Sequence, residues 1–144
     1  MNTTNNQKFY INGQWVNPHS KQLLDVINPA NEEIITQIAI GNEEDLNNAV
    51  EAAKKSFETW SVSGIEERLK LLNKLKEIYQ KRFDEMTVAI TTEMGCPKDF
   101  SSDVQTQSGL DHLNDFIEQL KNFNFENKFN EKSNNYITHE PIGV

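Results

Sequence analysis

Cys96 is the only cysteine in the chain and therefore the first candidate for a nucleophile. A thiol reacts as the thiolate, which a helix amino terminus or a nearby cation stabilises. Cys96 instead follows Gly95, at the carboxyl end of a predicted helix, and precedes Pro97, with only Lys98 as a neighbouring cation. The helix dipole disfavours a thiolate at that end. We therefore interpret Cys96 as a spacer or half-buried thiol rather than as a catalytic residue.

The histidines and glycines do not form a metal or phosphate motif. His19, His112 and His139 stand in three different predicted elements, and none has a second histidine or cysteine at ligand spacing. The six glycines, at positions 13, 41, 64, 95, 109 and 143, are too far apart to build the backbone nest that holds a pyrophosphate. The sequence therefore predicts no transition-metal site and no cofactor-binding residue in this chain.

The paired acids at the starts of the predicted helices are explained by helix electrostatics. The pairs Glu43–Glu44 and Glu66–Glu67 lie in first turns, where acids favour the dipole, so a capping role is favoured over acid–base catalysis. Arg68 is interpreted as a structural arginine that bridges to a carboxylate. Glu93 differs, because it precedes Gly95 in a last turn, where the dipole disfavours a carboxylate by roughly 0.3 kcal/mol or more. A compensating contact or plain solvation of Glu93 would explain it.

The composition indicates one domain and excludes several partners. The chain has 144 residues, of which 36% are apolar, a low share for a self-sufficient core. The net charge of -8 is spread without a basic cluster, which argues against nucleic acid and an anionic membrane as partners. No apolar run approaches the length of a membrane span, and the first residues lack the parts of a signal peptide. We predict a cytoplasmic protein with a frayed, disordered tail at residues 1–7.

Helical periodicity predicts four helices near residues 43–60, 64–82, 84–94 and 101–120. Asn42 is expected to cap the first, and Ser63 to open the second in a capping box with Glu66. Gly95 suits the left-handed residue that ends the third, and Ser101 or Ser102 could cap the fourth. The apolar stripes of the first two helices need a partner surface.

Short strands are predicted around the helices. Residues 9–16 have the form of a tight hairpin about Asn12-Gly13, and residues 22–27 and 34–40 flank a turn at Asn28-Pro29. Residues 122–140 are expected to form a ribbon that ends in the strand Tyr136-Ile137-Thr138. One side of this ribbon is aromatic and is formed by Phe123, Phe125 and Phe129.

Several segments together resemble the aldehyde dehydrogenase superfamily. The resemblance begins with Phe9-Tyr10-Ile11-Asn12-Gly13-Gln14-Trp15-Val16 and Ile27-Asn28-Pro29-Ala30-Asn31-Glu32-Glu33-Ile34. It continues through Asp45, Ala49-Val50, Ala52-Ala53, Phe57, Trp60, Glu67-Arg68, Glu93-Met94-Gly95 and His139-Glu140-Pro141-Ile142-Gly143-Val144. Matches in the same order from about residue 9 to residue 144 are much more specific than any one of them.

The resemblance implies an α/β fold, namely the amino-terminal part of an aldehyde-dehydrogenase-like fold, truncated before the parallel cofactor-binding sheet. Antiparallel strands and about four helices, at residues 8–121, would belong to the cofactor-binding domain. Residues 122–140 would form the β-ribbon that the family uses for oligomer contacts. Residues 141–144 would be the entry to the cofactor-binding sheet.

The resemblance also implies a reaction, the NAD(P)-dependent oxidation of an aldehyde to a carboxylic acid. The family uses a cysteine thiolate, a water-activating glutamate and an asparagine that stabilises the oxyanion. The motifs that carry them are absent from this chain, so no catalytic residue is predicted. We expect an amino-terminal fragment that is inactive alone, binds no NAD or NADP by itself, and needs the carboxyl-terminal part of the enzyme. Self-association through residues 122–140 is expected as well.

The resemblance gives Glu93 a possible role. In the family, an acid at this position can hold a monovalent cation together with main-chain oxygens just before the Asn-Pro turn. Here those oxygens belong to Val26 and Ile27, and hard oxygen ligands suit Na⁺ or K⁺. The alternative interpretation of Glu93 remains a solvated surface glutamate.

A different class of function also fits the residues. A non-catalytic helical interaction module could keep this framework without the chemistry. The sequence that accompanies residues 1–144 would discriminate between the two.

Overall fold

The computed structural model describes residues 5–144, in which pairs of short antiparallel strands flank a set of helices. The strands are β1 (Phe9–Ile11), β2 (Gln14–Val16), β3 (Leu23–Ile27), β4 (Ile34–Ala39), β5 (Glu126–Lys128) and β6 (Tyr136–Thr138). They pair as β1–β2, β3–β4 and β5–β6 in three separate sheets. The fraying predicted for residues 1–4 lies outside the described residues. Residues 5–7 form a turn, in which the Lys8 amide donates to the Asn5 carbonyl at 3.0 Å.

Four helical runs are present, as the sequence predicted. The helices are α1 (Glu43–Trp60), α2 (Ile65–Lys81), α3 (Phe83–Met94), α4 (Lys98–Phe100) and α5 (Gln107–Asn122). A π-helical segment, Ser101–Thr106, joins α4 to α5 without a break. The first three helices lie within one residue of the predicted bounds. The fourth run is longer than predicted, because it begins just after Pro97 and ends at Asn122.

Local turn chemistry explains both amino-terminal hairpins. Asn12 and Gly13 have φ values of 51° and 76°, which closes the tight turn between β1 and β2. In the second turn the Asn28 side chain accepts a hydrogen bond from the Ala30 amide at 2.9 Å. The β3–β4 register shifts between Val26 and Ile27. Both predicted hairpins are confirmed.

The predicted caps had mixed outcomes. Asn42 caps α1 in a capping box, in which its side chain accepts from the Asp45 amide and the Asp45 carboxylate accepts from the Asn42 amide. The predicted capping box of Ser63 with Glu66 is wrong. Gly64 precedes α2, and the Ser63 hydroxyl donates to the Trp60 carbonyl at 2.6 Å. The Ser63 hydroxyl, which was expected to cap α2, is therefore hydrogen-bonded to the end of α1 instead.

The predicted cap at Ser101 or Ser102 is also wrong. Pro97, with φ near -55°, already precedes the helical run, since proline is well suited to a helix start. Ser101 consequently lies inside the run and is fully buried. Its hydroxyl donates to the Pro97 carbonyl at 3.3 Å.

Polar side chains fill the centre where α2, α3 and the π-helical segment meet. A π-helical turn loosens the regular hydrogen-bond ladder, so its carbonyls need other partners. Thr106 donates to the Ser101 carbonyl at 2.8 Å, Thr87 donates to the Thr106 hydroxyl at 3.0 Å, and Tyr79 donates to the Thr106 carbonyl at 2.9 Å. In the described part of the chain, no buried side-chain nitrogen or oxygen lacks a hydrogen-bond partner.

The apolar surface is only partly covered. Among the described residues, Ile117 is the only large apolar residue with less than a tenth of its surface exposed, at 5%. The accessible surface is 11231 Å². A folded monomer of 16.6 kDa exposes about 7,600 Å², so this chain exposes about 1.5 times that area. The helix stripes that need a partner surface do not find it within residues 5–144. No described helix is long and apolar enough to cross a membrane.

The ribbon at residues 122–140 is short and aromatic at its base. Strands β5 and β6 pair with Asn127 opposite Ile137. The rings of Phe123 and Phe125 meet edge to face with centroids 4.8 Å apart, and Phe123 also lies against His139 at 5.2 Å. Phe129 is 63% exposed.

Gly109 allows α5 to approach α2 closely. A methyl group added at Gly109 would overlap the Tyr79 hydroxyl and lie 2.9 Å from its Cζ. We expect Gly109→Ala to lower the free energy of unfolding by about 1–2 kcal/mol, because overpacking outweighs the gain of about 1 kcal/mol in helix propensity. Urea denaturation followed by circular dichroism measures the change.

The control is the same substitution in a Tyr79→Phe background. Removing the hydroxyl removes the closest contact but leaves the one with Cζ at 2.9 Å, so Gly109→Ala should cost less there than in the parent chain. Equal costs of Gly109→Ala in both backgrounds would contradict this explanation.

Candidate functional site

Cys96 contacts the buried serine of the π-helical segment. Its sulfur lies 2.9 Å from the Ser101 hydroxyl oxygen, and the side chain is half-buried. The Ser101 hydroxyl can also donate to the Pro97 carbonyl at 3.3 Å, which leaves its oxygen able to accept from the Cys96 thiol. The structure thus gives Cys96 a hydrogen-bonding role in the connection between α3 and α4.

His19 and Asp45 form a pair that the sequence reasoning missed. Asp45 is only 6% exposed, and one carboxylate oxygen accepts from the His19 amide at 2.9 Å and lies 3.0 Å from His19 Nδ1. The other oxygen accepts from the Asn42 amide. His19 Nε2 lies 3.2 Å from a Glu44 carboxylate oxygen. The first turn of α1 therefore holds the segment between β2 and β3.

The pKa values of the pair move in opposite directions. The His19 amide and then the Asn42 amide stabilise the Asp45 carboxylate and lower its pKa to about 2, although burial acts in the other direction. The hydrogen bond to Asp45 raises the pKa of His19 above 6.5, and the charge of Glu44 adds to this effect. Each nitrogen of the His19 imidazole therefore lies next to a carboxylate, Nδ1 next to Asp45 and Nε2 next to Glu44.

The sequence contained a signal for the position of Asp45 but not for the approach of His19. An Asn cap followed three residues later by an acid is a sequence signal for the Asn42–Asp45 capping box. The approach of His19 depends on the path of residues 17–22, which carries no periodic signal. No group of three or more His, Cys, Asp and Glu side chains in residues 5–144 could hold a metal ion.

The residues of the predicted cation site lie on two elements. Val26 and Ile27 flank the register shift in β3, and Glu93 is exposed in the last turn of α3. Gly95 ends α3 with φ of 65°, as predicted. A methyl group at Gly95 would lie 2.8 Å from both the Ala30 amide nitrogen and Pro29 Cγ. The carboxyl end of α3 therefore packs directly on the Asn-Pro turn that follows Val26 and Ile27.

Arg68 does not bridge to a carboxylate, contrary to the sequence-based expectation. Its Nε donates to the Ser63 hydroxyl at 2.9 Å, and its Nη2 donates to the carbonyls of Trp60 and Ser61 at 3.3 and 3.4 Å. Its guanidinium lies 5.6 Å from the centroid of the Trp60 ring. Carbonyls at the end of α1, which have no partner within the helix itself, take the place of the acid. Within residues 5–144 Arg68 makes no ion pair.

Three open cavities meet at Arg68. The first, of about 440 Å³, lies between the α1–α2 turn and the base of the ribbon, and includes His139 and Glu140. The second, of about 510 Å³, lies between α2 and α5. The third, of about 430 Å³, lies between α1 and the last residues, Pro141 to Val144. Arg68 is thus the one charged side chain shared by all three.

Comparison with known proteins decides the family. The sequence profile described as the aldehyde dehydrogenase family matches residues 15–144. The chain belongs to the aldehyde dehydrogenase family. The resemblance noted in the sequence and the predicted fold class are thereby confirmed. The described strands and helices correspond to the amino-terminal region of that fold.

Individual relatives are similar over nearly the whole chain. A Staphylococcus epidermidis protein, provisionally named an aldehyde dehydrogenase, is 43% identical over 137 residues, which cover 95% of this chain and 28% of that protein. A crystal structure of aldehyde dehydrogenase from Bartonella henselae matches with 40% identity and a TM-score of 0.86, over 89% of this chain and 27% of that one. A Pseudomonas syringae aldehyde dehydrogenase variant, solved with NAD⁺ and octanal, matches with 31% identity and a TM-score of 0.85, over 88% and 26%.

This aldehyde dehydrogenase family member spans little more than a quarter of the length of the curated relatives that it matches. Its 144 residues compare with about 500 in full-length homologues. The grooves around Arg68 therefore belong to a framework that, in those relatives, is accompanied by a much longer polypeptide.

We expect the His19–Asp45 pair to make stability depend on pH. The raised pKa of His19 means that its contribution is present below about pH 6.5 and is lost as the pH rises through the folded-state value. Asp45 has a lowered pKa, so its contribution is present above about pH 3.8 and is lost as the pH falls towards about 2. His19→Gln should therefore lower the urea midpoint more at about pH 5.5 than at about pH 8.5.

Asp45→Asn provides the comparison. Asp45 also accepts hydrogen bonds from two backbone amides, so this variant should lose stability at both pH values. A His19→Gln effect that is the same at both pH values would show that the imidazole charge does not stabilise the fold.

Proposed function

We propose that this chain supplies the amino-terminal portion of an NAD(P)-dependent aldehyde dehydrogenase, which converts an aldehyde and water to a carboxylic acid. The observation that carries the proposal is the family match over residues 15–144 together with the 40% identical crystal structure at a TM-score of 0.86. In the complete enzyme, NAD or NADP accepts the hydride. The Pseudomonas syringae and Mycobacterium tuberculosis relatives are both solved with NAD⁺.

The chain alone should be inactive. Oxidation of an aldehyde requires a nucleophile, an oxyanion donor, a water-activating acid and a pyrophosphate nest that converge on one site. Cys96 is hydrogen-bonded to Ser101 in the connection that follows α3. The glycines are dispersed over several elements and form no pyrophosphate nest. Residues 8–121 would act as the outer part of the cofactor-binding domain, and residues 141–144 as the entry to its sheet.

The partners of the chain follow from the same proposal. The carboxyl-terminal part of the enzyme is the first, and a second copy bound through residues 122–140 is the other. Support for the second comes from the two open edges of the β5–β6 pair and from Phe129, which is 63% exposed. Sedimentation of the purified chain at tens of micromolar should then show species heavier than 16.6 kDa. We place the enzyme in the cytoplasm, in keeping with its single cysteine.

One observation favours the alternative of a non-catalytic interaction module. The chain exposes about 1.5 times the area of a folded monomer of its mass, and large apolar residues such as Leu46, at 62%, and Phe116, at 69%, are exposed. A module that binds another protein would present such a surface. A chimera that is folded but inactive would favour the module.

The activity proposal is tested with a chimera. Residues 1–144 are joined to the part of the Staphylococcus epidermidis relative that follows its matched stretch. We expect the chimera to reduce NAD⁺ or NADP⁺ with short aliphatic aldehydes, and purified residues 1–144 alone to show neither turnover nor binding of NAD⁺ by calorimetry. Cys96→Ala in the chimera should change turnover by less than about threefold, because this thiol is remote from the chemistry.

The relative itself is the positive control. If it is active while a folded chimera is not, the proposed function is wrong. Turnover by residues 1–144 alone that disappears in Cys96→Ala would contradict both the fragment assignment and the role given to Cys96.

We also propose that Glu93 binds Na⁺ or K⁺ together with the main-chain oxygens of Val26 and Ile27. The proposal is supported by the packing of Gly95 against Pro29 and Ala30, which brings the end of α3 to the turn after β3. The carboxylate at a negative helix end would be compensated by the ion. Carbonyl and carboxylate oxygens are suitable ligands for a hard cation.

The cation should stabilise the chain. At a concentration ten times its dissociation constant, Na⁺ or K⁺ should add about 1.4 kcal/mol to the free energy of unfolding, relative to tetramethylammonium at equal ionic strength. Glu93→Gln should abolish this increment. Glu58→Gln, which changes an exposed acid in the last turn of α1, is the matched control and should retain it. An increment that survives in Glu93→Gln would rule the site out.

A further inference from the structure

The surface between α2 and α5 is an open, preformed groove. We call it the apolar groove, and define it by Leu71, Leu72, Leu75, Phe116, Leu120 and Phe123. Three of these residues have about half or more of their surface exposed, namely Phe116 (69%), Leu71 (53%) and Leu75 (49%). Its volume of about 510 Å³ is large enough for a few side chains of another polypeptide segment.

The walls of the groove are fixed by contacts already described. Tyr79 donates to the Thr106 carbonyl, and Gly109 allows α5 to lie directly against the Tyr79 ring. The residues that make these contacts between α2 and α5 do not line the groove itself. The groove is therefore formed before a partner binds, which reduces the entropy lost on binding.

The charge at the rim restricts the partner. Arg68 lines the groove, and no lining residue of the groove is acidic. Its guanidinium has hydrogen bonds to a hydroxyl and two carbonyls but makes no ion pair within the described residues. In a symmetric dimer the same lining residues would face each other, and none of them supplies a carboxylate for Arg68. A partner with an acid opposite Arg68 fits better than a second copy.

The position of residues 141–144 indicates the source of the partner. Pro141, Gly143 and Val144 line the third cavity described above. Arg68 and Trp60 line both that cavity and the groove. The relatives have almost three quarters of their length outside the region that this chain matches. In those relatives, polypeptide that follows the matched stretch would begin beside this surface. The exposed area is also large enough, since an obligate interface buries roughly 1,000–2,500 Å² on each partner.

We propose that the apolar groove binds a segment from the remainder of the aldehyde dehydrogenase polypeptide, with apolar side chains between α2 and α5 and a carboxylate on Arg68. The inference rests on the proposed function and deepens it, because it assigns the docking surface and the chemistry of the partner. The segment can be supplied by a separate chain.

Co-expression of two chains tests the docking surface. Tagged residues 1–144 are expressed with the untagged remainder of the Staphylococcus epidermidis relative, and the recovered partner is identified and quantified by mass spectrometry. We expect recovery near one to one, reduced at least tenfold by Leu75→Asp or Phe116→Asp. Val88→Asp is the matched control, because Val88 is a 50% exposed helical residue outside the groove, and it should retain the partner. Circular dichroism of each tagged variant alone checks that it is folded.

Arg68 is tested separately. Arg68→Gln should reduce recovery about tenfold or more, and Arg68→Lys should restore part of it, because loss of one member of a desolvated charge pair is costly. Ser63→Ala removes the hydroxyl that holds the Arg68 Nε but leaves the charge, so it should reduce recovery less than Arg68→Gln does. Equal losses in Ser63→Ala and Arg68→Gln would show that Arg68 acts only through the turn.

The outcomes separate the docking surface from the proposed activity. Recovery that is lost equally in Val88→Asp, or retained in both groove variants, overturns the docking proposal even if the complex reduces NAD⁺. A groove-dependent complex without turnover leaves the docking proposal intact and contradicts the proposed function. If no partner is recovered and sedimentation shows a dimer of residues 1–144 that Leu75→Asp dissociates, the groove binds a second copy and the proposal is wrong.

Discussion

The hydrogen bonds around Thr106 are the contact on which the helical part of this protein depends. Thr106 bonds to Tyr79 of α2, to Thr87 of α3 and to Ser101 within its own helical run. A buried polar group without a partner costs about 1–3 kcal/mol, so each member of this set requires the others. The interior is specified by polar geometry, and among the large apolar residues described only Ile117 is buried.

A polar centre leaves the apolar stripes of the helices for other uses. The contact between α2, α3 and the π-helical segment is made by threonine, serine and tyrosine, while several large apolar side chains of α2 and α5 stay exposed. Leu71, Leu75 and Phe116 line a groove rather than a core. This accounts for the low apolar share of the sequence and for the large accessible area of the chain. The apolar groove between α2 and α5 is the clearest example of this arrangement.

Much of the fold could be predicted from the sequence, and the misses have physical reasons. Periodicity and turn chemistry located the hairpins and the first three helices, because Asn12-Gly13, Asn28-Pro29 and Gly95 act locally. The caps at Ser63 and Ser101 were wrong, since other groups compete for the same hydroxyls. The His19–Asp45 pair and the environment of Arg68 depend on contacts between distant residues, which periodicity does not encode. The π-helical segment was missed because it has no sequence signal of its own.

The connectivity of the elements has a consequence for how the chain acquires its structure. Every strand pairs with its neighbour in sequence, and α3 packs on the helical run that follows it. The contact between α2 and α5 is the main one that spans many residues, and it too lies within the first 122 residues. Low contact order favours rapid folding, and amino-terminal regions leave the ribosome first. This region can therefore assemble its hairpins and helices early during synthesis, with the apolar groove between α2 and α5 already formed.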